Sequence, residues 1–244
     1  TTTGEISING LNPDIVQDTQ FIVTKGMVAI NSFDTTVLNG TEIDVTSKNV
    51  NITGHAVEVE QGIIITSNVE SIVITGYNVS VTNELIISLN VGSVIIDGYN
   101  TTVLAGTKID LTKAEITITG LNLEIEQGIQ IDVTSETIIV TGLDVSVENA
   151  LSINVTTGSV NVIGYPVSVY AGILVEATTG NVAITGYNPT VAQSSGVEVT
   201  TGQVTITGLD TTIECTVLIE PTTGMVIIAS YEVTVYDGLV AETP

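Results

Sequence analysis

Hydrophobic and polar residues alternate along most of this chain with a local period of two. Between residues 70 and 82, for example, Ile72 and Ile74, then Val79 and Val81, are separated by single polar or variable residues. Alternating β-branched residues predict strands with one buried face. A helical reading fails, because glycine falls one to three times in each repeating stretch while Ala, Leu and Lys are scarce.

A longer period overlies the alternation. Gly10, Ser32, Gly54, Gly76, Gly98, Gly120, Gly142, Gly164, Gly186, Gly208 and Ser230 are each 22 residues apart, without insertion or deletion. Residues 1–244 therefore form a single uninterrupted repeat array, with units 2–23, 24–45, 46–67, 68–89, 90–111, 112–133, 134–155, 156–177, 178–199, 200–221 and 222–243. Position five of the unit is always Val or Ile, from Ile6 to Val226. Position seven is equally strict from Ile8 to Ile228, position fourteen runs from Ile15 to Val235, and position twenty from Phe21 to Ala241. These four columns are the expected core. They predict about three short strands per unit, near positions 4–8, 12–16 and 18–22. Glycine at position nine is expected to supply a positive φ. Asn or Asp at position eleven is expected to tolerate the left-handed region and to satisfy turn backbone groups.

A period this rigid predicts that equivalent residues stack. The expected fold is all-β, a parallel β-solenoid (β-helix) of eleven coils, making a rod about 50 Å long at a strand spacing of about 4.8 Å. An intertwined multi-chain fibre and a string of antiparallel hairpins also fit the period. The three-strand unit and the Asn column favour the solenoid. Stacking would place Asn78, Asn100, Asn122, Asp144, Asn188 and Asp210 in a structural ladder. It would likewise place Tyr77, Tyr99, Tyr165, Tyr187 and Tyr231 in a ring stack, together with the Leu, Phe33 and His55 of position ten. A second period also exists: residues 33–41 are echoed by 99–107, and 57–63 by 123–129, as duplication of a three-unit block would produce.

Composition narrows the function. The chain carries 27 acidic residues against four lysines and no arginine, a formal net charge of -23, with a mean hydropathy of +0.48. An acidic tail would lack this much Val, Ile and Thr. Nucleic-acid partners require a basic face that four lysines cannot supply, and anionic membranes are disfavoured for the same reason. The apolar runs are far shorter than the roughly 20 residues of a membrane helix, so no membrane insertion is expected. Thr1-Thr2-Thr3-Gly4-Glu5 does not begin a signal peptide. Cys215, alone, makes no intrachain disulfide.

Catalysis is not expected. His55 is the single histidine and sits where other units have Tyr, Phe or Leu, which suits a ring in the stack better than a ligand. A nucleophilic Cys215 would need a nearby base, and the same position of the adjacent units offers only Gln193 and Asp237. The pairs Glu58/Glu60 and Glu124/Glu126 could in principle serve glycoside hydrolysis, but they recur with the longer echo and come with no cleft-building insertion. Position twenty-one carries the most suggestive charge, with Glu176, Glu198, Glu220 and Glu242 at successive coils. Like charges so spaced repel by about 1 kcal/mol each even in water. A solvated acidic coat is the plainer account, and a metal ladder binding Ca²⁺ at these four residues is the sharper one. No other cofactor is expected.

Residues 178–191, TTGNVAITGYNPTV, resemble the tandem repeats of fibre and appendage structural proteins of tailed phages and marine bacteria. The resemblance implies a structural fibre, extracellular or on a virion surface, and transfers no site residues. The first and last units keep the Val/Ile core pattern instead of a polar cap, so the expected partner is a second copy, through self-assembly at uncapped ends. The alternative is an adhesin-like rod gripping a surface glycan, which requires its tyrosines to be exposed.

Overall fold

A computed structural model of the chain describes residues 2–3, 5–11, 14–15, 20–38, 41–45, 49–60, 63–67, 70–82, 85–104, 106–126, 129–148, 151–170, 174–192, 196–214, 218–236 and 240–241. The fold is a parallel β-solenoid. Its position-five column is unbroken, with Ile6 beside Val28, Val28 beside Val50, and so on through Ile72, Val94, Ile116, Ile138, Val160, Val182 and Val204 to Val226. One turn of the solenoid therefore equals one sequence unit. About eight turns are complete among the described residues, against the eleven expected. The register departs from this spacing at Thr2, which pairs with Val23 across a bulge.

Seven positions per coil point inward, not four. In the unit 90–111 the buried residues are Val94, Ile96, Thr101, Val103, Thr107, Ile109 and Leu111. Positions twelve, eighteen and twenty-two thus join the expected columns. They were harder to see because threonine shares them with Val, Leu and Ile. Thr35, Thr101 and Thr211 at position twelve are all about 1% exposed or less. The Thr101 hydroxyl meets its burial by donating to the Thr119 carbonyl at 2.9 Å.

Inward residues alternate within each group, but Ile96 to Thr101 and Leu111 to Ile116 are steps of five. At each such step the chain switches which parity faces the core. Position nine lies at the first switch and position three at the second; position three is glycine in seven of the eleven units. The position-nine glycines lack the positive φ expected of them. Their reason is close approach: a Cβ on Gly76 would lie 2.9 Å from the Gly54 carbonyl oxygen, and one on Gly142 only 2.6 Å from that of Gly120. Positive φ occurs instead at position three, at 148° for Gly158, 152° for Gly180 and 147° for Gly202. A Cβ on Gly180 would fall 1.7 Å from the Gly158 carbonyl oxygen, inside covalent range of nothing it could bond.

The expected three short strands appear as separate elements in the second unit, as Val28–Ser32, Asp34–Leu38 and Glu42–Val45. In the central coils they merge into strands such as Leu85–Leu104 and Ile129–Glu148, each of 20 residues. A straight strand of that length would span about 66 Å, longer than the whole rod. Ladder pairing therefore follows the chain around its bends.

Candidate functional site

With positions five and seven inward, alternation leaves position ten outward in every coil, which builds one apolar ridge along the rod. Tyr77, Tyr99, Tyr165, Tyr187 and Tyr231 are 48%, 44%, 56%, 43% and 89% exposed. Leu11, Phe33, Leu121, Leu143 and Leu209 stand in the same line and are exposed as well. Phe33, His55, Tyr77 and Tyr99 stack with ring centroids 4.8, 5.3 and 4.8 Å apart and planes within 8°. His55 is therefore a member of the stack, held between two rings. Tyr165 and Tyr187 form a second, tilted pair, at 4.6 Å and 45°. The expected five-ring stack is thus divided, because Leu121 and Leu143 separate the two groups and Leu209 separates Tyr187 from Tyr231.

Beside the ridge runs the polar ladder of position eleven. The Asn122 amide donates to the Asn100 carbonyl at 2.7 Å, and the Asn100 amide to that of Asn78 at 2.8 Å. Asp144 continues the backbone register from Asn122, while Asn188 and Asp210 occupy the same column further on as exposed residues. None of these adopts the left-handed conformation expected of them; among the described residues Glu136 is the one non-glycine with positive φ. Cross-coil side-chain bonding, rather than turn geometry, is what Asn contributes here.

On the ridge's other side lies a column that the sequence reading passed over. At position eight the Asn31 amide donates to Asn9 at 3.4 Å, the Thr53 hydroxyl to Asn31, and the Thr119 hydroxyl to the Asp97 carboxylate. Position nine turns inward, where a Cβ would meet buried side chains such as Val79, Thr101 and Val145, so bare backbone floors a trough between the outward columns of positions eight and ten. Its described centre is lined by Asp97, Thr119 and Thr141 on one wall, Leu121 and Leu143 on the other, and Gly98, Gly120 and Gly142 as floor. The signal was available as a glycine column fixed between a Thr/Asp column and an aromatic–leucine column. A second shallow groove, beyond the Asn ladder, includes Asn100, Asn122, Glu124 and Asp144.

The acidic residues are spread along the strands. Glu176, Glu198 and Glu220 follow one another in register, Glu176 is exposed, and Glu242 lies outside the described residues. No group of three or more potential metal ligands occurs among the described residues. Lys108 pairs with Asp110 at 3.0 Å on the surface, and that hydrogen bond and charge hold the ammonium above its ordinary range. Glu124 is held above the usual carboxylate range, first by a hydrogen bond with Glu126, then by burial and by the charges of Glu126 and Glu148. Cys215 lies outside the described residues.

The site is thus the flank of a β-solenoid, an apolar ridge between two shallow polar-walled grooves. No protein-family model, no curated protein and no solved structure matches this chain. No helix among the described residues is long and apolar enough to cross a membrane.

Proposed function

We propose that this protein is a structural rod that builds filaments, its copies joining end to end by adding coil onto coil. The observation that carries this reading is the unbroken parallel stacking of near-identical coils, in which Val or Ile at position five follows Val or Ile from Ile6 to Val226. Val28, Ile30, Val204 and Ile206 are fully buried in that stack. A parallel edge over an apolar interior is a template for another coil. Because every coil presents the same Val/Ile columns, a coil of a second copy is the natural occupant of such an edge.

Substituting Ile8→Lys and Ile228→Lys together places a charge inside each joint. Sedimentation velocity should then show the long species of the parent chain replaced by single rods, with the circular dichroism of a β-protein unchanged. Equal sedimentation of variant and parent would refute end-to-end joining. The resemblance of residues 178–191 to appendage repeats supports an extracellular or virion-surface location. Accessibility of the intact chain on source cells or particles to an impermeant label tests that placement.

A second reading has one observation in its favour: the five tyrosines are exposed, as a glycan-gripping rod requires. The stack limits it. Sugars pack on ring faces, and Tyr77 has a ring over each face. Tyr165 and Tyr187, tilted and at one end of their group, are the better candidates, and loss of glycan-array binding on Tyr187→Ala would support this reading.

A further inference from the structure

The trough beside the ridge has no role in coil-on-coil joining, and we infer that it is a binding site for an elongated, flat aromatic cation lying parallel to the rod axis. Three observations define that ligand. Its floor is Gly98, Gly120 and Gly142, bare peptide repeating once per coil, so a smooth strip runs along the axis. Three coils give about 10 Å of floor at the usual strand spacing, which suits two or three fused or linked aromatic rings placed lengthwise. A ligand lying across the rod would meet the walls instead.

The inner wall sets the need for an apolar, planar molecule. Leu121 and Leu143 are 36% and 55% exposed, so their methyl groups are available to a ring face. Toward the first coils the wall continues as the stack of Tyr99, Tyr77, His55 and Phe33. Interior rings of that stack have covered faces, which leaves their edges, not their faces, for lateral contact. Edges carry the positive end of the ring quadrupole and pack well against the π face of another aromatic.

The outer wall sets the charge. Asp97 is exposed at the trough and accepts the Thr119 hydroxyl, which fixes its carboxylate there. The whole molecule carries -23, and no described basic residue lines the trough. Cations are concentrated at such a surface, and anions of the same shape are repelled.

Thioflavin T, a planar benzothiazolium monocation, is a suitable probe. Titrated into the full-length chain it should show a saturable rise in fluorescence, polarised along the axis of flow-aligned rods. Leu121→Ser with Leu143→Ser removes apolar contact from exposed positions and should weaken binding about fivefold or more. Thr141→Arg should do the same through charge and bulk, and raising the salt should weaken binding in the parent chain. Circular dichroism and sedimentation establish that each variant keeps the parent fold and length. Unchanged affinity in both folded variants would overturn the proposal, as would equal binding of an anionic dye of similar length. So would a trough covered by a laterally paired second copy, seen as dye binding that falls while lateral dimers accumulate. Single rods that bind the dye with these dependences would support the site even where filaments fail to form, so the two ideas fail separately.

Discussion

Glu136 holds the position that Gly158, Gly180 and Gly202 hold in later coils, at a φ of 138° that L-residues rarely adopt. Its coil accommodates it on one side: pairing with the preceding coil skips residues 114–115 and 136–137, whereas Glu136 pairs directly with Gly158 on the other side. Glu136→Gly should therefore stabilise the chain by about 1 kcal/mol, read as a shift in a denaturation midpoint. Gly180→Ala should cost about 3 kcal/mol or more, because its Cβ would collide with the Gly158 carbonyl oxygen and the backbone must move. Glu124 gives a pH-dependent expectation at the same scale. Its carboxyl binds a proton more tightly in the folded chain, so its contribution is full below the unfolded-state value and is lost as pH rises through the folded one. Glu124→Gln should therefore be the more stable form at neutral pH and the equal of the parent near pH 3. The gain should be small, about 0.5 kcal/mol, since the group lies at the surface. Equilibrium unfolding of both proteins at the two pH values measures it.

At the scale of strands and coils, stability resides in columns. Ile96→Ala removes a fully buried side chain that has Ile74 and Ile118 as its neighbours in the column, and should cost about 2–5 kcal/mol. Ile95→Ala, one residue away and partly exposed, should cost well under half as much, and a paired unfolding series tests the contrast. Much of this element-scale picture was legible in the sequence. The spacing of Gly10 through Ser230 revealed the repeating unit, and the three-strand unit with its Asn column favoured the parallel stacking that the structure shows. The parity switches were not legible. A buried threonine such as Thr101 has the composition of a surface strand residue, and only its bond to the Thr119 carbonyl explains why it belongs inside. Glycine was visible but misassigned: steric exclusion at position nine and positive φ at position three leave the same letter in the sequence. The exposed ridge was half legible, since its residues were identified as a column, while the trough beside it depends on positions eight and ten both facing outward with position nine turned inward.

For the whole molecule, the opposition is between an apolar interior and a coat of net charge -23. Repulsion between coats opposes joining, and its range shrinks to about 10 Å at 0.1 M salt. Filament length should accordingly increase with ionic strength, followed by light scattering, whereas dye binding in the trough should decrease under the same change. That opposite salt response separates the two surfaces in one preparation. Coil-on-coil joining also has a geometric consequence: the strand repeat must continue through each joint without a gap. Electron microscopy of the purified chain, with diffraction from aligned material, tests this most directly. The account predicts unbranched filaments many times the rod length of about 50 Å, with a continuous axial repeat of about 4.8 Å. Discrete rods of single-chain length, at concentrations and salt that favour association, would contradict it.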